Sequence, residues 1–91
     1  MPRFYFHLEM CGQVFPDPEG RRLPDLEQAR ASAILDARDL MAAEVKAGRL
    51  CLGCRIDIAD EQGAVILAVP FHEAIELSGL DRIPEQGTAS A

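Results

Sequence analysis

Residues 25–48, DLEQARASAILDARDLMAAEVKAG, predict one long helix around which the rest of the chain is organised. At about 100° per residue, one arc of this helix collects mainly apolar side chains and the polar ones lie largely opposite. Asp25 can accept from the backbone N–H of Gln28 as an N-cap, and Gly48 supplies the positive φ usual after a C-terminus. We therefore expect a helix over residues 26–47 with this apolar face: Leu26, Ala29, Ala33, Ile34, Ala37, Leu40, Met41 and Val45.

Two charged residues, Arg30 and Glu44, interrupt the apolar arc, and they lie too far apart along the helix axis to pair. In one interpretation, each aliphatic stem covers the core while the charged head reaches water at its edge. In the other, Arg30 is held by a carboxylate from elsewhere or binds an anionic ligand. The sequence leaves both interpretations open.

A pair of strands is predicted on each side of the helix. In residues 3–9, alternation sends Phe4, Phe6 and Leu8 to one face and the polar residues to the other, and residues 13–15 form a short return strand. Residues 54–59 alternate in the same way. Residues 64–69 are almost continuously apolar, which predicts burial on both faces, in the sheet interior or under a partner.

The expected fold is α+β, in the order β-β-α-β-β, with the helix on one face of a four-stranded, mostly antiparallel sheet and the other face open. The first and last strands are the candidates for its centre. Residues 17–20 (DPEG) and 60–63 (DEQG) read as tight turns, and residues 71–77 predict one or two helical turns. We expect a single domain over residues 1–77 and a flexible tail over residues 78–91.

Composition excludes several classes of function. Apolar residues make up 48% and charged residues 26%, with a net charge of -6, which opposes non-specific binding to nucleic acid. The longest apolar run is too short to cross a bilayer, and the N-terminus lacks the pattern of a signal peptide. The expected location is therefore the cytoplasm, away from membranes.

Three cysteines are candidates for metal or redox chemistry. Cys51 and Cys54 have the C-x-x-C spacing that can hold a metal or form a disulfide, and Cys11 could add a third thiol. One such pair without a second is a weak signal for zinc, and the pair precedes a strand instead of opening a helix. Three interpretations of these cysteines stay open: small structural residues, a zinc site and a redox pair. We prefer the first and expect no cofactor.

The open face of the sheet offers the other candidate site. Tyr5 and His7 point outward from the first strand, and Arg55 and Asp57 share a face of the third. If these faces coincide, they form a patch that could bind a small anion or a partner, while the alternative is a solvated sheet face. No nucleophile and base pair is evident, so an enzyme is not expected.

Several motifs together resemble a known family: the opening P-R-F-Y-F-H-L at residues 2–8, D-P-E-G at 17–20, L-P-D at 23–25, Ala29-Arg30 and Val69-Pro70-Phe71. The sequence is similar to short uncharacterised proteins of alphaproteobacteria, classed as a domain of unknown function, over roughly residues 1–77. The resemblance implies a stand-alone cytoplasmic domain without an assigned activity or cofactor. The chain departs from the family pattern at Cys11, where Asp is usual, and around Cys51 and Cys54, which argues against a metal site basic to the fold.

The sequence therefore favours a small non-enzymatic interaction or regulatory module that acts as a homodimer, with an unidentified protein partner as a further prospect. The alternative is a sensor of a small ligand or of zinc that uses the open sheet face and the cysteines. A nucleic-acid regulator that uses Arg3, Arg21, Arg22 and Arg55 ranks third, because the chain is acidic.

Overall fold

A computed structural model describes residues 1–84 and shows one long helix packed on an antiparallel sheet, the predicted α+β class. The elements in chain order are β1 (Arg3–Met10), β2 (Gln13–Phe15), β3 (Arg21–Arg22), α1 (Leu26–Lys46), β4 (Arg55–Ala59) and β5 (Val65–Pro70). Two short 3-10 turns follow, Phe71–Glu73 and Leu80–Arg82. Among residues 1–84, α1 is the only helix longer than a single turn, and it is not apolar enough to cross a membrane.

Helix α1 begins at Leu26 as predicted and ends at Lys46, one residue before the predicted end. The Asp25 carboxylate accepts a hydrogen bond of 2.9 Å from the Gln28 backbone N–H, and Gly48 has φ 91°. The face that meets the sheet is built from small residues, Met41 and one acid: Ala29, Ala33, Ala37, Met41 and Glu44. Because alanine side chains are short, the helix backbone can approach the sheet closely.

The predicted apolar face of the helix is wrong at both of its ends. Leu26 and Val45, at the two ends of this face, are 38% and 58% exposed. Glu44, in contrast, is only 8% exposed, and its Oε1 accepts a hydrogen bond of 3.3 Å from the Cys51 backbone N–H. The carboxylate of Glu44 thus binds the loop after the helix, instead of reaching water at the edge of the core as first interpreted.

The N-cap offers a direct test of how the helix is held. Replacing Asp25 by Ala is expected to lower the free energy of unfolding by about 1 kcal/mol, because the N–H of Gln28 loses its acceptor. Asp25→Ser, which restores an acceptor, should recover most of this loss. Urea denaturation of the three proteins measures the effect, and equal stabilities of Asp25→Ala and the wild type would show that the cap contributes nothing.

The sheet order is β2-β1-β4-β5, with all neighbours antiparallel. Strand β1 lies inside the sheet as predicted, paired with β4 on one side and with β2 and β3 on the other. The prediction of an interior position is wrong for the last strand, since β5 forms the edge. The core lies between α1 and the inner face of the sheet, and its fully buried large side chains are Phe71, Ile58 and Cys54.

Two further features differ from the sequence-based expectations. The two-residue strand β3 was not predicted; it pairs with Arg3 and Phe4 of β1, so that β2 and β3 share one side of that strand. Of the turns predicted over residues 71–77, one 3-10 turn forms, because Ala74 N–H bonds the Phe71 carbonyl and the chain then leaves helical geometry. The predicted tail, residues 78–91, falls partly outside the described residues.

Candidate functional site

The open face of the sheet carries the patch that alternation suggested. The β1–β4 register sets His7 opposite Asp57 and Glu9 opposite Arg55, with Tyr5 two residues before His7 on the same face. Four candidates therefore share one surface: Tyr5, His7, Arg55 and Asp57. The structure does not bring Arg30 to them, because Arg30 is exposed on α1, which covers the opposite face.

The cation of this patch is engaged by its neighbours. Arg55 Nε donates to Asp57 Oδ1 at 3.0 Å, and its Nη1 lies 3.5 Å from Glu9 Oε1. The hydrogen bond and charge of Asp57 raise the pKa of the Arg55 guanidinium, and Glu9 adds to this effect. One cation between two carboxylates leaves this part of the face with no excess positive charge to attract an anion.

His7 also has a structural role. Its Nδ1 accepts a hydrogen bond of 2.9 Å from the Asp17 backbone N–H, and its ring stacks on Tyr5 with the centroids 6.4 Å apart. An accepting Nδ1 assigns the ring proton to Nε2. The imidazole therefore anchors the segment between β2 and β3, which reduces its availability as a metal ligand.

That segment, residues 17–20, is organised by the carboxylate of Asp17. It lies beside β1 on the side away from β4, between the residues that pair with β2 and those that pair with β3, where that side of β1 has no strand partner. Asp17 Oδ2 accepts from the Phe6 N–H at 3.1 Å, and Oδ1 accepts from Glu19 and Gly20 N–H at 3.2 and 3.1 Å. The side chain thus takes the place of a missing strand partner and of the carbonyl that would close a type I turn.

These contacts set the ionisation of Asp17. Partial burial alone would raise its pKa, but the N–H groups of Gly20, Phe6 and Glu19 and the charge of Arg21 outweigh burial. The pKa of Asp17 is therefore held below its ordinary value. This carboxylate is charged at neutral pH and stabilises the fold in that form.

The arginines do not form one basic patch. Arg21 lies on the helix side of the sheet, where its guanidinium is 4.4 Å from the centre of the Phe6 ring and bonds Ser32 and Asp36 of α1. Arg55 lies on the opposite face, as described above. Arg3 donates to the Glu19 carbonyl at 2.7 Å. Three of the four arginines proposed for nucleic acid are thus held by separate partners of the protein itself.

A groove of about 660 Å³ lies on the helix side, between α1 and the segment from β2 to β3. Apolar side chains from the core form part of its wall, and acidic residues and Arg21 line the rest. Sequence reasoning missed this groove because its residues come from four separated segments: Phe6, Leu8, Phe15, Asp17, Glu19, Arg21, Asp36, Asp39, Leu40 and Ile56. The only sequence signal was the D-P-E-G motif, which was interpreted as a turn.

The three cysteines are free thiols and lie at one end of the sheet, Cys11 just after β1 and the other two just before β4. Cys54 is 1% exposed, Cys51 is half-buried, and Cys11 is exposed in the β1–β2 turn. In the part of the chain that the structure describes, no group of three or more His, Cys, Asp and Glu side chains is arranged to hold a metal ion.

The edge strand β5 exposes several apolar side chains. Val65 is 57% and Ile66 41% exposed, and Ala68 is exposed as well. Residues 63–71, GAVILAVPF, contain no charged side chain. A β-bulge between β4 and β5 falls near the start of the strand, beside Ile58 and Ala59, and leaves the rest in regular register.

Comparison with known proteins gives one family. A family model described as Domain of unknown function (DUF6894) matches residues 3–72. The match spans every strand and the helix described above. No curated protein and no solved structure matches the chain significantly.

Proposed function

The chain belongs to the DUF6894 family, a domain of unknown function, and on that premise we propose that it is a small non-enzymatic interaction module that acts as a homodimer through strand β5. The observation that carries this proposal is the uncharged, apolar strand at an open edge of the sheet. The sequence suggested that this strand is covered on both faces. Because β5 lies at the edge of the sheet within residues 1–84, we expect a partner to cover it.

An exposed edge strand carries backbone N–H and C=O groups that can pair with another strand, and proteins usually block such edges with charges, prolines or short strands. The opposite edge follows this rule, since β2 has three residues and Pro16 follows it. Strand β5 has six residues without a charge, and its only proline, Pro70, is the last. The two edges are thus unequal, and β5 is the one suited to pairing.

A second copy of the chain is the partner that fits this edge best. Antiparallel pairing of β5 with its own copy is isologous, so that one strand supplies both halves of a closed two-fold interface. Two chains of net charge -6 repel each other over most of their surface. Contact at residues 63–71 avoids this repulsion locally, because no charged side chain lies there.

The other functions have less support. A ligand sensor on the open face would need free cations or ring nitrogens, but Arg55 is bound by Asp57 and His7 Nδ1 accepts from Asp17. A nucleic-acid regulator would need a shared basic surface, whereas Arg21 and Arg55 lie on opposite faces of the sheet. The interaction module requires neither feature.

Ala68→Lys tests the proposed interface. Ala68 is exposed near the middle of β5, so a two-fold pairing places the two introduced lysines close together, and the dissociation constant should rise at least about tenfold. Light scattering over a concentration series should show the mass of two chains for the wild type, and the 10.0 kDa of one chain for the variant at the same concentrations.

Val14→Lys is the matched control, because it adds the same charge to the opposite edge strand at a residue that is 64% exposed. It should leave the dimer intact. A wild-type protein that remains at one chain's mass at every concentration contradicts the dimer. Loss of the dimer in Val14→Lys but not in Ala68→Lys contradicts the assignment of the interface to β5.

A further inference from the structure

All three cysteines of the chain come together although α1 separates the first from the other two. The β1–β4 register ends with Glu9 opposite Arg55. Cys11 directly follows β1, and Cys51 and Cys54 lie just before β4, so all three are at the same end of this antiparallel strand pair. The thiols of Cys54 and Cys11 both lower the pKa of the Cys51 thiol, as expected when the three side chains are near one another. The cluster is therefore a product of the fold, beyond the local C-x-x-C spacing.

The backbone between Cys51 and Cys54 has a geometry that a disulfide can close. Leu52 and Gly53 form a turn, with Cys51 and Cys54 as its first and fourth residues. The Cα atoms of such residues lie within about 7 Å in a β-turn, and disulfides span Cα distances of about 4.4 to 6.8 Å. The loop is held in place from the helix by the hydrogen bond between Glu44 and the Cys51 N–H.

The two thiols have unequal environments. Burial is the main cause that raises the pKa of the Cys54 thiol to about 12, and Cys51 adds to it. For Cys51, the hydrogen bond from Cys54, followed by the backbone N–H of Gly53, lowers the pKa, while the charge of Glu44 opposes this. A more acidic, accessible sulfur next to a buried one that keeps its proton is the arrangement of an attacking and a resolving thiol.

Cys11 lies in a backbone conformation that its residue type disfavours. It has φ 52° and is the one residue other than glycine with positive φ among residues 1–84. With Gly12 at φ 81°, it forms a tight hairpin turn of the kind that usually takes Asn, Asp or Gly. The positive φ of Cys11 is a backbone strain that the fold maintains. Cys11 thereby adds a third sulfur to the cluster, and this sulfur is exposed to solvent.

We propose that Cys51 and Cys54 are a redox-active dithiol that hydroperoxides oxidise to an intramolecular disulfide, with Cys51 as the attacking sulfur. The Cys51 thiolate attacks one oxygen of hydrogen peroxide, the O–O bond breaks, and Cys51 becomes a sulfenic acid as hydroxide leaves. Cys54 then attacks the Cys51 sulfur, the S–O bond breaks, and the Cys54 proton and the second hydroxide form water. Overall, two thiols and one peroxide give one disulfide and two waters, and a small dithiol reverses the step.

The test oxidises the full chain with hydrogen peroxide and follows its mass. The wild type should lose about 2 Da as one Cys51–Cys54 disulfide forms, and dithiothreitol should restore the original mass. Cys51→Ser should slow oxidation at least about tenfold, because the attacking sulfur is gone. Cys11→Ser is the matched control and should form the same disulfide within about threefold of the wild-type rate.

Cys54→Ser should stop at the sulfenic acid of Cys51, which dimedone traps, or divert to a Cys51–Cys11 disulfide. Circular dichroism of each variant verifies its fold, and Cys51→Ser and Cys11→Ser decide the outcome if the buried substitution at Cys54 unfolds the chain. Oxidation of Cys51→Ser at the wild-type rate, or a wild-type product linked between chains through Cys11, would overturn the proposal. These results do not depend on the oligomeric state of the reduced protein.

Discussion

Gly20→Ala is expected to lower the free energy of unfolding by about 3 kcal/mol, a large part of the stability of a domain of this size. Gly20 has φ +71°, which costs an alanine about 1 to 2 kcal/mol. An added Cβ would also lie 2.7 Å from the Phe4 carbonyl oxygen and 3.0 Å from side-chain carbons of Arg3 and Tyr5. Because the nearest atom belongs to the backbone of β1, this close contact can be relieved only if the strand or the segment beside it moves.

Gly12→Ala separates the two contributions. Gly12 has φ +81°, but an added Cβ would meet no atom within 4 Å, so this variant has the backbone cost alone, about 1 to 2 kcal/mol. Urea denaturation of both variants gives the difference. Equal losses would show that the close approach at Gly20 is relieved without cost, and that the segment at residues 17–20 is not packed tightly against β1.

Local chemistry determined the parts of the fold that the sequence predicted well. The cap at Asp25, the stop at Gly48 and the alternation of Phe4 and Phe6 each depend on neighbours within a few residues, and each appears in the structure as expected. The position of Gly63 in the second hairpin is another case, with φ 87° and its N–H bonded to the Asp60 carbonyl. Such features are visible without knowing what packs against them.

Features that depend on distant partners were not visible. Strand β5 has the apolar sequence of an interior strand, but its place in the sheet follows from how the two hairpins join through β1 and β4. Glu44 is buried because the loop after α1 folds back to give it the Cys51 N–H. Neither hydrophobic periodicity nor charge pattern contains this information, since both outcomes arise from residues that meet only in the folded chain.

For the candidate site, too, the sequence predicted local features but not contacts between distant residues. Alternation assigned Tyr5, His7, Arg55 and Asp57 to exposed faces, but only the strand register could show that these faces coincide. The role of His7 as the acceptor for Asp17 could not be foreseen, because a turn motif does not show which strand it will cover. The sequence showed Cys51 and Cys54 as one pair, whereas the proximity of Cys11 follows from the antiparallel pairing of β1 with β4.

Asp17→Asn is expected to lower the free energy of unfolding at pH 7 by about 2 kcal/mol. The carboxylate accepts from three backbone N–H groups, and an amide of the same shape keeps one oxygen acceptor and presents a donor at the other position. The Phe6 N–H points to the side of β1 away from β4, where no strand pairs with it, so losing Asp17 Oδ2 leaves this part-buried donor without its acceptor. Asp39→Asn is the control, since Asp39 is exposed and makes no hydrogen bond or ion pair within residues 1–84.

The pH dependence of this effect has a definite sign. The pKa of Asp17 is lower in the folded chain than its ordinary value of 3.8, so the folded state favours the charged form more than the unfolded state does. The stabilisation is therefore complete above the ordinary pKa and is lost as pH falls through the lowered one. Denaturation curves at pH 7, 5 and 3 should show the gap between the wild type and Asp17→Asn narrowing below about pH 4, while Asp39→Asn stays within about 0.5 kcal/mol of the wild type at pH 7. A difference in unfolding free energy that is constant from pH 7 to pH 3 would mean that the charge of Asp17 does not stabilise the segment. Its hydrogen bonds would then contribute equally whether the carboxyl group is charged or neutral.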